Sequence, residues 1–438
     1  MILFLCLLFL AMAWLLNLGV LVYAVYALTA VLFVSHFFTT GWIGSLKAVR
    51  TCQTLEAEVG QSVAVRINVH NTGRLNITWV LLEDVLNKSD IAERGTALEV
   101  SGRRMEVTDF KADGQLQMIY QIKCLRRGYF QLGPLVAETG DLFGLNRRYR
   151  VLQSPQYLLV LPKVVSLEGY DIASRRPIGE IIMSHKLFED PTRIAGVRRY
   201  QNGDSLSRIH WRATARTGQL QSKVYEPSSV AGVTLLVDFH RDSFDPADEP
   251  VRSELAVTCA ASITNAVQQM NQQVGLFSNG RDAADRIRQE GWRSDRRTRE
   301  EALKSATMDD QNTRLRPVGV PTKRDEHQAR QIYDLLARLE KTDGLSFFQM
   351  VQESQQRYPK DASIIAILSE INLEYGVALG ELRRQGYAVT AIVNCYDVEK
   401  YSQLATALFA EGIEARHLRD EDSIREICTR QVHLNYGI

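Results

Sequence analysis

The sequence predicts a multidomain protein: an N-terminal transmembrane helical hairpin, an all-β sandwich-like domain, and a C-terminal doubly wound α/β domain. Three observations carry that expectation. Residues 1–45 contain no Asp, Glu, Lys or Arg, the apolar pattern then changes to a period of two, and beyond Val230 short apolar runs alternate with helical stretches. At 438 residues the chain exceeds one hydrophobic core, since domains run to roughly 100–200 residues. The expected boundaries are 1–40 for the hairpin, 41–165 for the sandwich and 166–230 for a connecting segment rich in Arg and Trp. The α/β domain takes 231–438, with a charged insertion at 281–326.

The apolar run ends at Phe38. As one helix it would reach about 57 Å, nearly twice the roughly 30 Å hydrocarbon core of a bilayer. Asn17-Leu18-Gly19 supplies a turn, giving spans at Met1–Leu16 and Val20–Phe38. The first cations after the run are Lys47 and Arg50, which place the C-terminal flank in the cytoplasm by the positive-inside rule. A cleaved signal peptide fits poorly, because no basic n-region precedes a run this long. A single tilted span would leave the soluble part on the same side.

Alternation of Val63, Val65, Ile67 and Val69 with polar residues, followed by Asn71-Thr72-Gly73, predicts a half-buried antiparallel strand over 61–70. Leu116, Met118, Tyr120, Ile122 and Cys124 predict a second. Shorter runs at Ile77–Leu86, Leu132–Val136 and Tyr157–Val165 complete a sandwich pattern. Val233–Asp238 then reads as a strand buried on both faces. Leu255, Cys259, Ile263, Ala266 and Met270 mark a helix, and Gln273–Phe277 a strand. Helices around Ala329–Leu339, Leu379–Arg384 and Tyr401–Ala410 alternate with strands at Ile364–Leu368, Tyr387–Val393 and Ile413–His417, the order of a parallel sheet. Dense charge over 281–326 predicts a solvated insertion.

A net charge of +1 removes a global electrostatic argument for nucleic acid. The six cysteines are scattered without zinc-site spacing. No P-loop, nucleophile elbow or H-E-x-x-H is present, so the sequence offers no catalytic residue.

The most unusual segment is Glu189–Glu226. Arg193, Arg198, Arg199, Arg208, Arg212, Arg216 and Lys223 stand there against Glu189, Asp190, Asp204 and Glu226, with Tyr200 and Trp211 interleaved. Arginine stacks on Trp and grips carboxylate or phosphate with a planar fork. Three readings follow: an internal ion-pair and stacking network, a docking patch for an acidic partner or lipid headgroups, and a phosphate or nucleic-acid site. The internal network is the simplest, with Gly203-Asp204 as a turn.

The run Gly196, Arg198, Tyr200, Gly203, Asp204, Arg208, Ile209, Trp211, Ala215, Arg216, Gly218 and Lys223 resembles the signature of the bacterial family called domain of unknown function 58. Arg127-Gly128-Tyr129, Leu132-Gly133-Pro134 and Asp141-Leu142-Phe143-Gly144-Leu145 resemble it as well. His210, before Trp211 and Arg212, departs from it by replacing an Asp, and Leu142 by replacing a Pro. The resemblance implies a von Willebrand factor type A-like C-terminal domain, whose metal loop would fall on Asp238, His240 and Asp242. Both serines of that loop are replaced, which weakens a Mg²⁺ site; Glu370 is a further candidate ligand, and no cofactor is expected.

The resemblance further implies a non-catalytic scaffold or adaptor in the bacterial inner membrane, its soluble domains facing the cytoplasm. It would act with a MoxR-type AAA+ ATPase on a client protein, and neither nucleic acid nor a small-molecule substrate is expected. The alternatives are a metal-dependent ligand-binding protein of adhesion type and a membrane-bound hydrolase built on Asp204, His210 and the arginines.

Overall fold

The computed structural model describes residues 11, 19–87, 90–91, 97–141, 146–167, 189–201, 209–227, 232–290, 315–360, 362–370 and 373–427. The chain divides into two compact units. One comprises Met1–Lys163, Arg281–Asn312 and Leu336–Glu340; the other comprises Val164–Gly280, Thr313–Leu335 and Lys341–Ile438.

The first unit begins with helix α1 (Gly19–Ser45), 27 residues and about 40 Å long. Among the described residues it is one helix with the length and composition to cross a membrane. The expected hairpin is therefore described in its second arm alone. Its first arm, Met1–Leu16, lies outside the described residues apart from Ala11, and its second arm runs past Phe38 to Ser45. The extension has a packing cause. Thr39 is fully buried, and Trp42 and Ile43 join the core of the β domain. Arg150 Nη1 donates to the carbonyls of Ile43 at 3.0 Å and Gly44 at 2.9 Å, satisfying acceptors that a helix end leaves open.

Strand β1 (Leu46–Cys52) follows without a linker. Then come β2 (Glu56–Glu58), β3 (Ser62–Asn71), β4 (Ile77–Leu86), β5 (Leu98–Gly102), β6 (Met105–Phe110), β7 (Gln115–Cys124), β8 (Gly128–Gly140), β9 (Arg147–Gln153) and β10 (Gln156–Leu161). One sheet has the order β1-β3-β7-β5, the other β2-β10-β8-β4-β6 with β9 also on β8. Val63, Val65 and Ile67 lie opposite Ile122, Tyr120 and Met118, all buried. That is how alternating sequence becomes one apolar face.

Within this core Arg50 pairs with Asp84, with Nε 2.9 Å from Oδ2 and a second bond between Nη2 and Oδ1. Arg50 Nη1 also donates to Leu132 and Ser154 carbonyls, and Tyr120 Oη donates to Asp84 Oδ2 at 2.6 Å. Gly133 sits at φ 90°, where an added Cβ would overlap the guanidinium. The Leu132-Gly133-Pro134 triplet therefore makes room for a buried cation. Arg50 is not an interfacial charge.

In the second unit β11 (Glu189–Arg199), α2 (Trp211–Thr217) and β12 (Gln221–Pro227) form a ribbon with a short helix. The α/β portion follows: β13 (Gly232–Val237), α3 (Val251–Gln269) and β14 (Gln273–Ser278). Next in the chain, β15 (Arg281–Asp282) and α4 (Ala283–Glu290) belong to the first unit. The sheet resumes with β16 (Val318–Lys323), followed by α5 (Gln328–Arg338), β17 (Leu339–Glu340), which pairs with β15 in the first unit, and α6 (Phe347–Ser354). The chain continues through β18 (Ala362–Leu368), α7 (Leu373–Arg384), β19 (Val389–Asn394), α8 (Val398–Ala410), β20 (Glu414–Leu418) and α9 (Glu421–Glu426).

The sheet order is β16-β14-β13-β18-β19-β20, parallel throughout except for β16. The order reverses between β13 and β18, so a crevice opens beyond the carboxyl ends of those strands. The expected insertion at 281–326 is narrower than its charge implied. Residues 281–290 form β15 and α4, and Val318–Lys323 is an edge strand of the sheet. Pro321 and Gly319 hide that strand in the sequence, yet an edge tolerates proline, and Gly319 leaves room for the Phe277 ring. Residues 291–314 lie outside the described residues.

Candidate functional site

Two places concentrate polar side chains. The first is the ribbon. β11 and β12 pair with Arg198 opposite Ser222 and Arg199 opposite Gln221, and buried Ile209 bridges to Ser222 on the other side. His210 Nδ1 then accepts from Ala213 N at 3.0 Å, making His210 the N-cap of α2. Gly218, at φ 68°, ends the helix and donates its N–H to Thr214 O at 2.9 Å. At this position the imidazole nitrogen does the work of Asp, a preferred N-cap residue.

The helix carries its polar groups outward. Trp211 is 69% exposed, and Arg199, Arg212, Ala215 and Arg216 are exposed around the ribbon. Arg198 is also exposed, with Nη1 donating to Arg199 O at 3.2 Å, while Tyr200 and Lys223 are half-buried. Among the described residues Arg199, Arg212 and Arg216 form no salt bridge, and the side chains of the acids expected to pair with them, Glu189, Asp190, Asp204 and Glu226, lie outside what the structure describes. Gly203, Asp204 and Arg208 lie outside the described residues. Gly196 follows an irregularity in the β11–β12 register and has open space at its Cβ position.

The second place is the end of β13, at the switch point. Asp238 is 1% exposed. Its Oδ1 accepts from Asn279 Nδ2 at 2.8 Å and from His240 N at 3.2 Å, and its Oδ2 from Tyr375 Oη at 3.2 Å. Ser243 Oγ lies 3.3 Å from Tyr375 Oη. Asn279 is itself fixed, accepting from Phe239 N at 2.7 Å and donating to Leu345 O at 3.1 Å. Burial pushes the Asp238 carboxyl above its ordinary range, against hydrogen bonds from Ser243, Asn279, the His240 backbone and Tyr375. The Tyr375 hydroxyl is pushed up by burial first and by the charge of Asp238 second.

Of the three expected metal ligands, only Asp238 faces inward. His240 caps the short turn Arg241–Ser243 through Nδ1, and the Asp242 side chain is turned to solvent. Glu370 is exposed. A hard cation asks for several oxygen ligands, whereas the Asp238 oxygens already accept N–H and O–H donors. Among the described residues no group of three His, Cys, Asp or Glu stands close enough to hold a metal. The residues present do not fit a Mg²⁺ site.

A second polar line continues along the same edge. Asn394, ending β19, donates to Ser369 Oγ at 3.1 Å and accepts from Arg252 Nη1 at 3.0 Å. Buried Arg252 reaches Leu418 O at the end of β20 and Arg419 O just past it, and stacks 3.2 Å over the Tyr396 ring. Asn279 and Asn394 share a signal in sequence, a polar residue at the end of an apolar strand. Tyr375 and Arg252 lie within helices and have none.

Residues 196–324 match the family model described as "Protein of unknown function DUF58". The chain is also similar to the uncharacterised protein YeaD of Bacillus subtilis (strain 168), at 25% identity over 242 residues. That match covers 54% of this chain and 57% of YeaD, so the chain spans little more than half of that relative. Among solved structures, a CARDB domain from Pyrococcus furiosus aligns at 9% identity and a TM-score of 0.18, covering 26% of this chain and 87% of that one. A non-cellulosomal cohesin from Archaeoglobus fulgidus aligns at 15% identity and a TM-score of 0.18, covering 26% and 91%. Scores this low assign neither fold nor function.

Proposed function

We infer that the chain is a non-catalytic scaffold, tethered to the bacterial inner membrane by α1 and presenting the ribbon to a protein partner in the cytoplasm. One observation carries this reading: Trp211 stands 69% exposed on a capped helix with Arg212 and Arg216 exposed beside it. Exposed Trp with Arg is the composition of binding hot spots, and exposed cations favour an acidic partner through complementarity. Lys47, the first cation after an uncharged helix, supports the cytoplasmic facing.

The family resemblance suggests the partner, a MoxR-type AAA+ ATPase with its client, and a von Willebrand factor type A-like role for the α/β portion. In that portion the Asp238 cluster is a metal-independent clasp between the loop after β13 and α7. The adhesion reading has less support because it needs the cation that Asp238 is poorly disposed to bind. The hydrolase reading loses His210, whose Nδ1 is engaged as a cap. Affinity capture from solubilised membranes tests the scaffold reading. Wild-type chain recovers an AAA+ ATPase, and Trp211→Ala with Arg212→Glu loses about tenfold or more of it, as removal of a hot-spot pair does. Recovery of no such ATPase by the wild type counts against it.

A further inference from the structure

Beside α1 lies a cleft of about 460 Å³, lined by Ala30, Val31, Val34, Phe38, Trp42 and Thr78, with Ser35 and Asp141 at its polar end. We propose that this cleft is a lipid site that takes one acyl chain of a bilayer phospholipid, with an ester carbonyl of that lipid bound to Trp42 Nε1–H. The proposal rests on the membrane reading of α1 and adds a ligand to it.

Four features point to that occupant. Its volume is within the roughly 300–1,000 Å³ of small-molecule sites, and its wall is almost wholly apolar. Val31 and Val34 are exposed on the same helix as Val20, Tyr23, Phe33 and Phe37, so the cleft is continuous with the surface that hydrocarbon would cover. Trp42 is only 8% exposed, and its Nε1 finds no hydrogen-bond acceptor among the described residues. A buried donor of that kind is rarely left unmade, and an ester carbonyl is an acceptor that arrives with an acyl chain.

The fourth feature is the polar rim. Ser35 Oγ donates to Asp141 Oδ2, and Asn146 holds both, through its backbone N–H to Asp141 at 3.1 Å and its side chain to Ser35 at 2.7 Å. This ties the helix to Asp141, which follows β8, and to Asn146, which precedes β9. Next along α1, His36 Nδ1 lies 3.1 Å from Arg148 Nη2, and Arg148 pairs with Thr139, two residues before Asp141. Arg148 does not line the cleft, but it meets α1 one residue past Ser35, and a lipid phosphate is drawn to a cation beside the membrane.

The test uses the full chain in nanodiscs whose phospholipid carries a photoreactive diazirine in one acyl chain. After illumination, labelled tryptic peptides are read by mass spectrometry. The informative peptide spans residues 75–88 and includes Thr78, which belongs to the β domain. We expect label on it, and about a fivefold loss of that label in Trp42→Phe, the size of one lost hydrogen bond. Ala30→Trp, a change at an exposed position, fills the mouth and removes the label while leaving residues 1–47 labelled. Label confined to residues 1–47 in the wild type overturns the lipid site and leaves the membrane reading standing; the cleft would then belong to another occupant, such as the first sixteen residues of the chain. Label on neither peptide overturns both.

Discussion

Each unit buries an aspartate, and the two are held in opposite ways. Asp84, inside the sandwich, meets the full charge of Arg50 and a hydroxyl from Tyr120, while the arginine's remaining donor takes two backbone carbonyls. Asp238, at the carboxyl end of β13, meets only neutral donors from Asn279, the His240 backbone and Tyr375, with Ser243 beside them. Countercharge and hydrogen bonds together let a carboxylate stay buried, whereas burial without a countercharge drives it toward its protonated form. The sandwich cluster is thus an internal ion pair, and in the α/β cluster burial raises the Asp238 carboxyl above its ordinary range.

The largest test breaks the first arrangement. Arg50→Met strands a buried carboxylate and is expected to cost about 3–5 kcal/mol, measured as faster amide exchange across β3, β4 and β7. Arg50→Met combined with Asp84→Leu is expected to recover most of that loss, because replacing both ions removes the desolvation penalty with the attraction. A double variant as unstable as the single one would show that the Leu132 and Ser154 carbonyls, rather than Asp84, depend on the guanidinium.

The second test addresses Asp238. Asp238→Ala leaves the Asn279 and His240 donors unpaired, at a cost of about 1–3 kcal/mol. Asp238→Asn keeps an acceptor and removes the charge. The folded-state pKa of Asp238 is raised above its ordinary value of 3.8, so its contribution to stability is greatest below that value and is lost as pH rises through the raised folded value. Wild type should therefore lose thermal stability relative to Asp238→Asn as the pH is taken from about 4 to about 8. A wild type that gains on the variant over that range would reveal a countercharge, such as a bound cation, that neutral donors do not provide.

How much of this was legible differs between the two clusters. The alternation of Val63, Val65, Ile67 and Val69, and the unbroken apolar run of Val233–Val237, gave strands whose burial follows directly from side-chain period. Asp238 was visible because it ends such a run. Its partners were not, since Asn279 and Tyr375 lie 41 and 137 residues away and converge only through the strand order. The pairing of Arg50 with Asp84 was hidden for the same reason, and Arg50 read instead as a membrane-flanking charge. α1 outran its expected end because its last turns are buried by the β domain, an environment that apolar composition alone does not distinguish from lipid. The ribbon was legible as a motif, but whether its arginines paired or faced outward required the fold.

The smallest predicted effect tests that motif. If His210 acts as an N-cap, as its Nδ1 bond to Ala213 N at 3.0 Å indicates, His210→Ala should cost about 1 kcal/mol. The loss should be local, because α2 buries no residue of its own. It should appear as roughly fivefold faster amide exchange over Ala213–Thr217, with β13 and β14 unchanged. His210→Asp supplies a carboxylate at the same position and should restore protection to within a few tenths of a kcal/mol. Equal exchange in all three proteins would mean that α2 is held by the Ile209 and Tyr200 contacts to the ribbon rather than by its cap. Restoration by Asp alone would mean that the position serves helix geometry. It would also mean that the Trp and Arg side chains displayed by α2 depend on that capped turn for their orientation.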